Sequence, residues 1–203
     1  MVFIVDDEEA VRDSIAMLLR SVGLPTRTYP DAAVFLREHQ PELPGCLVLD
    51  VRMPRMSGLE LQQELNRRGW TLPVIFITGH GDVPMAVEAM RAGALDFLQK
   101  PFKDDELIRR VQKALRQDAE ERAQLREREQ LRQRFEELTP REAEVARLIV
   151  AGQANKAVAL DLGLSERTVE LHRAHLMQKM GARSLAQLVQ MLLRLDGPGP
   201  GQG

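Results

Sequence analysis

The stretch CLVLDVRMPRMSGLELQQELNRR, residues 46–68, decides how the first half of the chain is read. Cys46–Leu49 is a short, unbroken apolar run, the pattern of a strand buried on both faces. Asp50 ends the run, and a loop containing Pro54 follows. Ser57 is placed to N-cap a helix predicted over Gly58–Arg68. The unit is strand, loop, helix.

The same unit recurs on either side. Val2–Val5, Thr26–Tyr29, Val74–Ile77 and Asp96–Leu98 are further short runs bounded by turn residues or acids. Helical patterns fill the gaps. One runs from about Glu8 to Val22 with Val11, Ile15, Leu18 and Leu19 on one face. Another starts at an Asp31 cap, another at an Asp82 cap with Pro84 in its first turn, and another near Asp104. Strand and helix alternate throughout, which predicts an α/β domain: a parallel sheet with helices on both faces.

Beyond residue 115 the strands stop. Residues 116–137 carry six basic and seven acidic residues and no Gly or Pro. Pairs such as Asp118/Arg122 and Arg132/Glu136 have helical spacing. The apolar positions hold no clean heptad, so a solvated connecting helix is favoured over a dimerising coiled coil. Helices alone follow. Thr139, Pro140 and Glu142 form a capping-box start, a short helix covers about Asn155–Leu162, and Gly163 makes a turn. Ser165 caps a helix over Glu166–Met180, and a last helix runs from Ser184 to about Leu195. This short helix, tight turn and longer helix form a helix-turn-helix pattern. The tail from residue 197 is Gly/Pro-rich and is expected to be disordered. The division expected is 1–115, a linker 116–137, a helical domain 138–196 and the tail 197–203.

Composition narrows the classes. The chain has 203 residues, 44% hydrophobic and 29% charged, with a formal net charge of −2. That is an ordinary globular mix. The single cysteine, Cys46, excludes an internal disulfide framework and a cysteine-based zinc cluster. The N-terminus has acids where a secretory signal needs Lys or Arg, and no apolar window reaches spanning length, so a soluble intracellular protein is expected. The total charge averages unlike parts: residues 1–115 carry net −3, residues 116–137 net −1 and residues 138–203 net +2.

Asp6, Asp7 and Asp50 fall at strand ends. If the first and third of the short runs pair, these carboxylates meet at the carboxyl edge of the sheet, where ligands bind in open α/β folds. Like charges about 4 Å apart repel by about 4 kcal/mol at an effective dielectric of 20, so such a group calls for a cation or a raised pKa. All-oxygen ligation suits Mg²⁺. Thr78 ends a further strand and Lys100 follows the last one; both could hold phosphoryl oxygens. Carboxylate nucleophile, metal and charge clamp are the parts needed for phosphoryl transfer to an aspartate. A phosphohydrolase using Asp50 is the competing chemistry. It usually needs an acid two residues on, and that residue is Arg52.

Together FIVDDE, LVLDVRMPRMSGLEL and PVIFITGHGDVPMAVEAMRAGALDFLQKPF resemble the receiver domains of bacterial two-component response regulators, over about residues 2–115. The resemblance implies a doubly wound five-stranded parallel sheet of order 2-1-3-4-5, with Asp50 accepting a phosphoryl group from a sensor histidine kinase. It implies Mg²⁺ held by Asp6, Asp7, Asp50 and the backbone carbonyl of Arg52, with Thr78 and Lys100 on the phosphoryl oxygens and a cis Lys100–Pro101 bond. Arg52 and His80 occupy positions that tune phosphoryl lifetime in similar receivers. Thr78 and Phe97 would switch on phosphorylation, unless Phe97 is simply a core residue. Val87 and Arg91 share a helix face that would form a phosphorylation-dependent homodimer.

LTPREAEVARLIVAGQANKAVALDLGLSERTVELHRAHLMQKMGARSLAQLV resembles the LuxR/FixJ/NarL-type DNA-binding domain. That resemblance implies an all-α helix-turn-helix domain whose Glu170, Leu171 and Ala174 face bases. Lys156, Arg167, Thr168, His172 and Lys179 lie on the phosphate side, and Arg173 shares the exposed face. Glu170 is the unusual member, because an acid in the groove repels phosphates but can accept from cytosine N4. The implied partners are a sensor kinase, promoter DNA and RNA polymerase, with no membrane; the implied location is the cytoplasm. A pure protein-interaction regulator is the remaining alternative for the helical end.

Overall fold

The computed structural model describes residues 1–79 and 83–196, apart from the side chains of Val83 and Asp196. His80, the Asp82 cap and the tail 197–203 lie outside the described residues. The chain divides into two compact units, Met1–Arg122 and the part from Ala123 on.

The first unit alternates strand and helix. It has β1 (Val2–Val5), α1 (Glu9–Ser21), β2 (Thr26–Tyr29), α2 (Ala32–Glu38), β3 (Cys46–Asp50), α3 (Gly58–Arg67), β4 (Val74–Thr78), α4 (Val83–Arg91), β5 (Asp96–Gln99) and the start of α5 (Asp104–Glu136). All pairings are parallel, and the strand order is β2-β1-β3-β4-β5. β3 and β4 each extend one residue further than the apolar runs predict, so Asp50 and Thr78 are strand residues.

The period of two along each strand divides the core into two layers. Phe3, Val5, Leu47, Leu49 and Phe76 face one side, with Phe35, Leu61 and Leu65 from α2 and α3. Val2, Ile4, Cys46, Val48, Ile75 and Ile77 face the other, with Ile15, Leu19, Leu107 and Val111 from α1 and α5. Burial on both faces is why the runs read as continuous apolar segments. Cys46 is fully buried, and burial pushes its thiol up to about 12, which makes it unreactive.

Helix starts follow the side chains that cap them. Asp31 accepts from the Val34 amide at 2.8 Å, and Ser57 and Glu60 complete a reciprocal capping box. α5 runs unbroken from Asp104 to Glu136, and its turns through Arg122 belong to the first unit. Asp118 is 2% exposed and Leu131 only 4%, so each is packed into its own unit.

The second unit takes the last part of α5 with α6 (Pro140–Val150), α7 (Asn155–Leu162), α8 (Glu166–Met180) and α9 (Leu185–Asp196). Leu131, Val145, Ile149, Val158, Val169, Leu176, Met180, Leu188 and Leu192 form its core. Gly163 and Gly181 end α7 and α8 with φ of 66° and 70°, the left-handed region that glycine enters without strain.

Candidate phosphoacceptor site and nucleic-acid interface

The strand order brings β1 beside β3, and β4 lies between β3 and β5. Asp50 is in register with Ile77, and Thr78 with Gln99. Asp6, Asp50, Thr78 and Lys100 therefore lie along one carboxyl edge of the sheet. Lys100 bridges the two acids: its Nζ lies 2.9 Å from Asp6 Oδ2 and 3.0 Å from Asp50 Oδ1. The Lys100 amide donates to the Thr78 carbonyl at 2.7 Å, and Lys100–Pro101 is cis. Thr78 is buried.

The remaining oxygens are also engaged. The Arg52 amide donates to Asp50 Oδ2 at 2.7 Å, and the Glu8 amide to Asp6 Oδ1 at 2.9 Å. Burial pushes the Asp50 carboxyl above the usual carboxylate range, although the Lys100 hydrogen bond and charge pull it down. Burial acts against the Lys100 charge too, but its hydrogen bonds to Asp6 and Asp50 prevail and raise its pKa.

The acids do not form a ready-made metal cage. Asp7 is exposed, and no group of three His, Cys, Asp or Glu residues is placed to hold a metal among the described residues. The expected meeting of three carboxylates reduces to Asp6 and Asp50, with Asp7 on the outer side of the same turn. The oxygen-only donor set still fits Mg²⁺, which keeps several waters and takes one or two protein carboxylates plus phosphate oxygens.

Of the predicted switch and dimer residues, Phe97 is half-buried, with its ring 6.5 Å from that of Phe76. Val87 is 42% exposed, and Arg91 shares its exposed face. In the second unit, Val169, Leu176 and Met180 bury one face of α8 as their spacing predicts. Lys156, Arg167, Glu170, Leu171 and Ala174 are exposed, and His172 is half-exposed.

Three other members of the predicted reading face have partners of their own. Thr168 shares a hydrogen bond with Ser165 at the start of α8. Arg173 donates to Asn155 Oδ1. Lys179 donates to Glu142 Oε2 at 2.7 Å and to the Glu137 carbonyl at 3.2 Å. Periodicity fixed the face of α8 on which Lys179 lies but carried no sign of an acid 37 residues earlier.

Glu142 is the residue the sequence undervalued. It closes the Thr139 capping box, yet its side chain is only 4% exposed. The Lys179 hydrogen bond, backed by the amide and hydroxyl of Thr139, holds its carboxyl at about 2 against the opposing effect of burial. A depressed carboxyl pKa stabilises the fold above the unfolded value of about 4.3 and loses that contribution as pH falls toward 2. The second unit should thus lose about 2–3 kcal/mol of its stability between pH 5 and pH 2 through this group. Denaturant melts of wild type and Glu142→Gln check it, since the variant should lack that share of the pH dependence. Parallel pH curves for the two proteins would exclude the linkage.

Comparison with known proteins agrees with this geometry. Residues 2–112 match the response regulator receiver domain, and residues 136–192 match the bacterial regulatory proteins of the luxR family. The chain belongs to the response regulators, as one that joins a receiver to a LuxR-type helix-turn-helix domain. It is a DNA-binding transcriptional regulator of the phosphorylation-dependent class. Among its relatives, the transcriptional regulatory protein FixJ of Azorhizobium caulinodans is 50% identical over 98% of this chain and 94% of its own length. Nodulation protein W of Bradyrhizobium diazoefficiens is 48% identical over 94% of this chain and 84% of its own length. The solved structure of the response regulator StyR has a TM-score of 0.86 at 46% identity, covering 95% of this chain and 98% of that one. Among the described residues no helix is long and apolar enough to cross a membrane.

Proposed function

We propose that Asp50 is the phosphoryl acceptor of this regulator, working in the cytoplasm with Mg²⁺ and a sensor histidine kinase. The observation that carries the reading is the Lys100 bridge between Asp6 and Asp50 at 2.9 and 3.0 Å, which places a cation donor on the acceptor oxygen. Asp50 Oδ1 attacks the phosphorus of a phosphohistidine; the O–P bond forms as the N–P bond breaks, and the histidine leaves with its electron pair. The raised pKa of Asp50 marks a basic carboxylate, suited to attack. Lys100 exchanges its hydrogen bond to Asp50 for a phosphoryl oxygen, and the Thr78 hydroxyl takes another. Asp6, Asp50, Asp7 and the Arg52 carbonyl would hold Mg²⁺, which when bound neutralises charge on the transferring group.

A phosphoryl group adds about −1.5 to −2 charge. Thr78 moves toward it, Phe97 follows inward, and the Val87–Arg91 face changes so that two receivers associate. The paired second units then present their α8 helices to half-sites in promoter DNA, where RNA polymerase is the further partner. Lys156 and Arg167 are the exposed cations for phosphate contact, with Glu170, Leu171 and Ala174 toward the bases. The small basicity of the helical end favours dimerisation over bulk charge as the source of affinity.

Incubation with acetyl phosphate and Mg²⁺, followed by intact mass and light scattering, tests the assignment. Wild type should gain one phosphoryl group and shift toward dimer, and Asp50→Ala should do neither. Equal phosphorylation of both proteins, or of neither, sinks the assignment.

A further inference from the structure

We infer that Arg12, a residue with no role in the reading above, is a positioning residue for the divalent-cation site. The inference rests on the Mg²⁺ assignment just proposed. Arg12 lies in the first turns of α1, is half-buried, and its Nη1 donates to the backbone carbonyl of Asp6 at 2.7 Å. That carbonyl belongs to the peptide joining Asp6 to Asp7. A peptide unit is planar, so fixing its oxygen fixes the plane and with it the Cα of Asp7. The rest of Asp6 is already held, with Oδ1 on the Glu8 amide and Oδ2 on Lys100. Arg12 supplies the remaining restraint on the turn, at the point where the exposed Asp7 carboxylate takes its direction.

Two effects of Arg12 oppose each other, and this makes the role measurable. Its positive charge repels a cation arriving at the acids, so charge alone predicts tighter Mg²⁺ binding once it is removed. Its hydrogen bond orients the ligand-bearing turn, so positioning predicts weaker binding. Groups that orient metal ligands typically contribute about 10–100-fold in affinity, whereas a half-exposed charge is screened by solvent and salt. Positioning should prevail.

Calorimetric titration of the full chain with Mg²⁺ decides between them. Arg12→Ala should raise the dissociation constant about tenfold. Arg12→Met, which keeps the apolar stem but not the donor, should do the same and guards against a fold made unstable by loss of packing. Arg12→Lys, which keeps a donor and the charge, should recover most of the affinity. Equal or tighter Mg²⁺ binding by the Ala and Met variants would overturn the inference. Asp6→Asn separates this from failure of the underlying reading: if it binds Mg²⁺ as wild type does, the ion does not bind at the acidic turn at all.

Discussion

Replacing Arg122 by Ala will destabilise the first unit by about 3–5 kcal/mol, the cost of leaving a buried charge unpaired. Arg122 looks in sequence like half of an ordinary helix ion pair, and such exposed pairs are worth about 0.3–0.5 kcal/mol. Its surroundings are different. Its Nε lies 2.8 Å from Asp118 Oδ1, and the Asp118 side chain is only 3% exposed. Nη1 donates to the Glu42 carbonyl at 3.0 Å, and Nη2 to those of Pro41 and Leu43 at 3.1 Å each. The other oxygen of Asp118 accepts from the Gly45 amide at 2.9 Å. One planar guanidinium thus fastens the end of the receiver helix to the loop between α2 and β3. A lysine has a single nitrogen and cannot reproduce that fork, so Arg122→Lys should lose most of the effect. The natural control is Arg132→Ala. Its pair with Glu136 has the same spacing but is 66% and 61% exposed, so its loss should cost under about 0.5 kcal/mol. Urea unfolding followed by the fluorescence of Trp70, which lies in the same unit as the clasp, gives both values. If Arg122→Ala costs no more than Arg132→Ala, the clasp contributes nothing.

The same clasp shows what a sequence can and cannot convey. The spacing of Asp118 and Arg122 is local, and the pair is read correctly. Its burial depends on carbonyls about 80 residues away, for which no local pattern exists. Lys179 and Glu142 repeat the lesson across 37 residues. The acidic site was legible for the opposite reason. A parallel sheet delivers every strand's carboxyl end to one edge, so residues scattered from Asp6 to Lys100 are brought together by strand order alone. Order does not fix which way a turn residue points, however, and so Asp7 lies outward while Asp6 is buried. Arg12 went unread because its partner is a backbone carbonyl, which every residue has.

Gly58→Ala should slow phosphoryl acceptance by Asp50 about tenfold to a hundredfold and destabilise the first unit by about 1–3 kcal/mol. The glycine sits at the first position of α3, where its amide donates to the Val51 carbonyl at 2.9 Å. It is needed for close approach. A Cβ there would lie 2.2 Å from the Asp50 carbonyl oxygen, 3.1 Å from its carbon and 3.0 Å from Phe76 Cε1. The obstacle is the backbone of Asp50, the proposed acceptor, held in β3 by neighbouring strands, so it cannot swing aside as a side chain does. Either α3 retreats from the strand end or the Asp50 peptide rotates, and both displace the carboxylate relative to Lys100 and the Arg52 amide. A misplacement of about 1 Å is enough to cost a hundredfold in a reaction that depends on alignment. Gly69→Ala separates this from a general intolerance of the added methyl. Gly69 has a φ of 69° with nothing within 4 Å of its would-be Cβ, so the change there strains the backbone by about 1 kcal/mol and leaves the acceptor in place. Single-turnover phosphorylation by acetyl phosphate at saturating Mg²⁺, with stability measured in parallel, reads both variants. A wild-type rate in Gly58→Ala would mean that the α3 contact does not set the position of Asp50.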